Sequence, residues 1–281
     1  MREGPAGSVT KDLIRSYETD GVICLRGAFG REWIDLLRAG FDRVAADKGP
    51  DAADHAPEEG AGRFFTDIDL ARRDAGFARF VQDAPAGRII AALMRSKRVN
   101  FFFDTAWAKG PGVAKRTNWH QDQPYFTIAG SQNCTLWLPL DPAPAGIALE
   151  FVRGSHRWGR RFDPLRTTDA RPFFRDSPYE PILDIEGDRA AYDIVSWDMA
   201  PGDCVVFHGL TLHGAGGNPQ AETWRRAYSS NWLGDDMVFA GRPGETRPAF
   251  DDCGLTDGDP MDSAYFPRVW PRRDNELEER P

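Results

Sequence analysis

Of the five histidines in the chain, His55, His120, His156, His208 and His213, two have neighbours that suit metal chemistry. His120 lies in Asn118-Trp119-His120-Gln121-Asp122-Gln123-Pro124. In an extended chain, residues two apart project from the same side, so His120 and Asp122 can bind one ion together. His213 comes much later, in Leu212-His213-Gly214-Ala215-Gly216. If its strand pairs near the first, the second imidazole completes a two-histidine, one-carboxylate face. Three ligands on one face of an octahedron leave three positions open, enough for a bidentate 2-oxo acid and O2, and this pattern favours Fe(II). A structural zinc site would close its shell with four protein ligands, and calcium prefers oxygen cages. No cysteine stands beside these histidines.

Twelve residues beyond His213 comes Arg225, in Trp224-Arg225-Arg226-Ala227-Tyr228. A buried guanidinium can grip a carboxylate through two parallel hydrogen bonds, which suits the far end of 2-oxoglutarate. Arg226 should point the other way and reads as a surface charge; Lys109 and Arg116 could meet an anionic group but read rather as surface charges. The inward members of the first long strand and its neighbours, Phe103, Thr105, Trp107, Trp119, Tyr125 and Phe126, are candidates to line a pocket for an apolar or ring-bearing substrate. Alternate members of the same runs must also fill the core.

The elements that position these groups change character near residue 98. Before it the spacing is helical: Leu13, Ile14 and Tyr17 follow a possible N-cap at Thr10 and end at Gly21. A second helix over 31–46 carries Trp33, Ile34, Leu37, Phe41 and Val44, and two more surround Phe77 to Val81 and Ile89 to Met94. The aromatics Trp33, Phe41, Phe77 and Phe80 read as core. Val22 to Leu25 reads as a strand, and residues 48–62 as a mobile loop. From Val99 onward come short runs of strand-favouring residues: Val99 to Trp107, Cys134 to Leu140, Ala148 to Val152, Ile194 to Trp197, Cys204 to Phe207 and Trp224 to Trp232. Pro- and Gly-containing turns separate them, which points to a sandwich or jelly roll wrapped by the earlier helices. Residues 1–9 and 271–281 read as solvated tails.

Composition bounds the function. A net charge of −8 argues against a nucleic-acid or anionic-membrane surface. No apolar run nears the roughly 20 residues that span a bilayer. The opening residues lack a secretory h-region, so a cytoplasmic location is expected. The four cysteines, Cys24, Cys134, Cys204 and Cys253, are scattered and read as reduced thiols.

With those residues in order, the sequence resembles the phytanoyl-CoA dioxygenase family of Fe(II)/2-oxoglutarate oxygenases. Residues 17–27, YETDGVICLRG, are similar to the family's helix-then-strand opening, and WHQDQPYF at 119–126 to its HxD region. LEFVRGSHRWG at 149–159 resembles its Gly-Ser-His turn, with Gly146 to Glu150 a variant of the preceding segment. PGDCVVFHGLTLHGAGGN at 201–218, followed by WRRAYS, resembles its distal histidine and arginine block. The resemblance implies a mainly β fold with flanking helices, a double-stranded β-helix (a cupin-like jelly roll). It implies one domain over 1–281, helical over about 10–96, jelly roll over about 97–235, with an extension over 236–281. It also implies metal ligation by His120, Asp122 and His213, an ion pair from Arg225 to the 2-oxoglutarate carboxylate, and contact from Trp137 to its body. His156 then belongs to a structural turn, and His208, at a strand end, faces the core or stands behind the ligands rather than binding the ion. Related halogenases lack the carboxylate that Asp122 supplies here, so hydroxylation or a related oxidation is implied.

The expected activity is oxidation of an unactivated C–H bond in a small organic molecule, for instance a natural-product intermediate. Fe(II), 2-oxoglutarate and O2 take part, and succinate and CO2 are released. The enzyme is expected as a monomer or homodimer without nucleic-acid or membrane partners. Two other readings use the same residues: a non-oxidative metal-dependent isomerase or hydrolase, which has no need of Arg225, and a catalytically silent binding protein.

Overall fold

Residues 9–55, 63–166, 171–220, 222–244, 246 and 248–272 are described by the computed structural model. Both expected tails fall almost wholly outside them, as do residues 56–62 of the expected loop. The helices are α1 (Lys11–Asp20), α2 (Arg31–Ala46), α3 (Ala75–Asp83) and α4 (Ala86–Met94). Thr10 caps α1 by accepting from the Leu13 amide, and Gly21 stops it at φ +74°. A Cβ at Gly21 would lie inside the contact distance of His156 and Thr211, so glycine is required there by both backbone and space. Asp74 caps α3 by accepting from the Gly76 and Phe77 amides.

The strands are β1 (Val22–Leu25), β2 (Ala53–Asp54), β3 (Phe64–Ile68), β4 (Val99–Lys109), β5 (Thr117–His120), β6 (Ile128–Ala129) and β7 (Asn133–Pro139). They continue with β8 (Leu149–Val152), β9 (Ile194–Val195), β10 (Cys204–His208), β11 (His213–Ala215), β12 (Arg225–Leu233), β13 (Val238–Phe239) and β14 (Arg268–Trp270). One antiparallel sheet runs β1-β10-β7-β12-β4-β3-β2, with β14 also on β4. A second runs β5-β11-β8-β9. The result is the expected mainly β jelly roll with flanking helices. Part of the expected loop is the short strand β2, held because Ala53 and Asp54 pair with Thr66 and Phe65 of β3.

Side-chain alternation assigns each face of the large sheet a partner. Leu136 and Leu138 of β7, Val206 of β10, and Tyr228 and Trp232 of β12 pack with Leu37, Phe77, Phe80 and Ile90 of the helices. Burying each such side chain contributes about 1.5–3 kcal/mol. The other face meets the small sheet, where Trp137, Val205, Phe207 and Ala227 pack on Phe151. The residues of β4, β7, β10 and β12 that reach the site share this second face. No helix among the described residues is long and apolar enough to cross a membrane.

Candidate active site

Antiparallel pairing of β5 with β11 sets His120 directly opposite His213, and their ring centroids lie 4.1 Å apart. The carboxylate arrives differently from the sequence expectation. β5 ends at His120, and Asp122 opens a turn whose carbonyl accepts from the Tyr125 and Phe126 amides. A turn, rather than strand alternation, therefore swings it back toward the imidazoles. Asp122 Oδ1 lies 3.4 Å from His120 Nε2 and 3.6 Å from His213 Nε2. Donor atoms around an ion with bonds of about 2.1 Å stand roughly 3.0–3.5 Å apart, so this spacing suits one shared metal.

Both rings are oriented for ligation. His120 Nδ1 donates to the Asn118 carbonyl at 2.7 Å, and His213 Nδ1 to the Thr211 carbonyl at 3.0 Å. With the proton fixed on Nδ1, each Nε2 presents its lone pair to the common point. Among the described residues this trio is the one group of His, Cys, Asp or Glu able to hold a metal. Burial, and then the neighbouring His120, push His213 down to about 4, so it is neutral over the physiological range. Burial also opposes charge on His120, but the hydrogen bond and charge of Asp122 outweigh it and raise that imidazole above its ordinary value. Burial likewise opposes charge on Asp122, yet His213, His120 and the Thr135 hydroxyl hold the carboxylate below its ordinary range.

A cavity of about 580 Å³ contains this trio and, in its wall, Arg225. Arg225 is 2% exposed and has no acidic partner among the described residues. Its Nη1 donates to the Ile147 carbonyl, and its Nε is buried without a hydrogen-bond partner. Burial alone pulls its pKa down to about 10, so it remains charged at neutral pH. A desolvated, charged, incompletely bonded guanidinium is a strong site for a carboxylate. Ser229 Oγ accepts from Trp107 Nε1 at 2.8 Å, which leaves its own proton for a ligand. Trp137, Leu149 and Phe207 add apolar wall.

Phe103, Thr105, Trp107, Tyr125 and Phe126 line the same cavity, where Phe103 and Phe126 meet edge to face at 5.1 Å. Trp119 does not. One residue from His120 on β5, it projects to the opposite side and packs with Val152, Phe162, Ile185 and Leu212. Its Nε1 reaches Glu186 at 3.2 Å. Lys109 also departs from expectation. It is fully buried, its Nζ donates to the Lys115 and Gly216 carbonyls and the Thr117 hydroxyl, and desolvation first, then Arg225, pushes it down to about 6. Arg116 is half-exposed and paired to Glu150 at 2.7 Å, and Arg226 is paired to Asp141 at 2.9 Å. His156 and His208 contact one another and bond to the Glu18 and Ser131 carbonyls, apart from the trio.

Sequence reading missed several cavity residues: His55, Thr66, Thr135, Phe173, Ser229 and Asn231. Thr135, Ser229 and Asn231 were within reach, because they alternate with Trp137 and Arg225 on the same strands. The others come from segments with no periodic signal.

A match to the family described as phytanoyl-CoA dioxygenase (PhyH) spans residues 17–227. No curated protein matches the chain. The structure resembles the non-heme alpha-ketoglutarate-dependent carbocyclase SnoK from nogalamycin biosynthesis, with a TM-score of 0.72 and 20% identity over 96% of this chain and 100% of that one. The epimerase SnoN in complex with Fe3+, alpha-ketoglutarate and nogalamycin RO gives a TM-score of 0.70 and 19% identity over 92% and 98%. EctD from S. alaskensis, with 2-oxoglutarate and 5-hydroxyectoine, gives 0.61 and 17% over 83% and 79%.

Proposed function

The chain belongs to the phytanoyl-CoA dioxygenase family, and from that premise we propose that it is a 2-oxoglutarate-dependent non-haem iron dioxygenase acting on a C–H bond of a small, ring-bearing molecule. The observation that carries the reading is one cavity that holds both a convergent two-histidine, one-carboxylate cluster and a buried, unpaired guanidinium. A metal isomerase or hydrolase needs the first and has no use for the second.

His120, Asp122 and His213 would hold the ion, and Arg225 with Ser229 would fix the distal carboxylate of 2-oxoglutarate against the Trp137 wall. Bound iron supplies the redox chemistry that couples decarboxylation of 2-oxoglutarate to substrate oxidation. The protein's part is positioning and exclusion. The two Nδ1 bonds keep both imidazoles turned inward, and the sheet-borne aromatics keep water from the reacting face. Phe103, Trp107, Tyr125, Phe126 and Phe173 offer flat apolar surface to a ring system.

Hydroxylation is the outcome favoured by the intact carboxylate. Epimerisation or ring closure is the second reading, supported by the likeness to SnoK and SnoN. Their place in nogalamycin biosynthesis also favours a natural-product intermediate as substrate. Substrate-triggered succinate release across a metabolite panel tests the activity, and absence of succinate with any candidate counts against it. Turnover under 18O2 separates the outcomes. Hydroxylation puts one labelled oxygen in the product alcohol and the other in succinate, whereas epimerisation or ring closure leaves the product unlabelled.

A further inference from the structure

One hydroxyl stands behind the carboxylate of the candidate metal site. Thr135 Oγ1 lies 2.7 Å from Asp122 Oδ2 and 2.8 Å from Asn231 Oδ1. A threonine hydroxyl has a single proton to give, and the ionised carboxylate is the stronger acceptor, so the bond goes to Asp122. The two Asp122 oxygens thus have separate tasks: Oδ1 faces both Nε2 atoms, and Oδ2 faces β7.

We propose that Thr135 is a positioning residue that keeps Asp122 a one-oxygen ligand. This rests on the metal-binding reading above. The physical reason is a count of positions. Two imidazoles and one carboxylate oxygen leave three sites on an octahedral ion, two for a chelating 2-oxo acid and one for O2. A carboxylate that turned both oxygens to the ion would remove one of these. Asp122 sits in a turn, outside the strand ladder that fixes the two histidines. Thr135 sits on β7, a strand buried along its whole length between β10 and β12, and directly opposite Asn231. The rigid sheet therefore restrains the carboxylate that the turn delivers.

The test compares Thr135→Val, which keeps the shape and removes the hydroxyl, with Thr135→Ser, which restores it. Under anaerobic conditions, Fe(II) binding is measured first. The 2-oxoglutarate affinity is then read from the visible charge-transfer band, and Co(II) absorption reports coordination number. The valine variant should bind Fe(II) at least as well as wild type. It should bind 2-oxoglutarate about ten- to a hundredfold more weakly, the equivalent of one hydrogen bond to a charged group, with an altered Co(II) spectrum. The serine variant should return both to wild-type values. Should valine prevent folding, Thr135→Ala carries the same comparison.

Wild-type 2-oxoglutarate affinity and Co(II) spectrum in a variant lacking the hydroxyl would overturn the proposal while leaving the metal site intact. So would loss of Fe(II) binding, since Thr135 would then be needed to hold Asp122 at all. Failure of the underlying reading looks different: wild type binds no metal, or Asp122→Ala binds it equally well.

Discussion

On β12, Tyr228 and Trp232 face the helices while Arg225, Ser229 and Asn231 face the cavity, and both sets are shielded from water. On the helix side the polar tips of these two β12 side chains are satisfied internally. Tyr228 donates to Asp104 at 2.9 Å, and Trp232 Nε1 donates to Ser230 at 3.0 Å. On the cavity side, among the described residues, Arg225 Nε has no partner and its positive charge has no acid beside it. Burial is common to both faces; what distinguishes the functional one is hydrogen-bonding capacity left unused at a cost that an incoming ligand can offset. One face holds the protein together and the other is built to hold something else.

The sharpest way to break this contrast is Asp122→Ala. It should abolish turnover and weaken metal binding while the thermal transition stays cooperative, as read by succinate release, metal titration and circular dichroism. Unchanged metal affinity would remove the cavity face from the chemistry. The opposite face is tested by Phe80→Ala, since Phe80 is fully buried against Phe29, Trp33 and Tyr228. Denaturant unfolding should show a loss of about 3–5 kcal/mol, with metal affinity retained in the folded fraction.

Arg225→Ala should raise the 2-oxoglutarate requirement roughly thirtyfold or more, from about 2–5 kcal/mol for truncating one partner of a desolvated ion pair. Stability should fall only modestly, because the Ile147 carbonyl loses its donor but no acid is left unpaired. A large stability loss with an unchanged 2-oxoglutarate requirement would make Arg225 structural and erase the contrast.

Smaller effects follow from pH. His120 holds its proton above the ordinary imidazole range, whereas His213 is neutral down to about 4. Ligation displaces a proton from His120, so metal affinity should fall by about tenfold per pH unit below the His120 pKa. Between that pKa and pH 5 the slope should be one proton, measured by Co(II) titration. A two-proton slope would mean that His213 is protonated as well. The smallest effect belongs to Trp119→Phe, which loses its bond to Glu186 but touches no cavity wall. Its substrate KM should equal wild type, while Trp107→Phe, which frees Ser229 within the wall, should shift KM. Equal shifts would return Trp119 to the substrate site.

How much of this was legible beforehand differs residue by residue. Helical and strand periodicity located α1 to α4 and most of the large sheet, because side-chain alternation and capping are local properties. Thr10 and Gly21 could be read as the ends of α1 from type alone. β2 lies within the aperiodic Gly-, Ala- and acid-rich stretch over 48–62, and β3, its partner, directly follows it, which masks both as strands. Lys109 read as a surface charge because nothing local signals that three acceptors from distant segments enclose it.

The sequence by itself determined which side chains were available and which shared a strand face, for neighbouring residues on a strand must alternate. It put Arg225, Ser229 and Asn231 on one side of β12 and Tyr228 and Trp232 on the other. Tertiary structure alone decided that the first side faces a cavity and that Asp122 returns to the imidazoles through a turn. Those outcomes depend on strand register and turn geometry between segments about a hundred residues apart, where a one-residue slip would exchange the faces without changing a single residue.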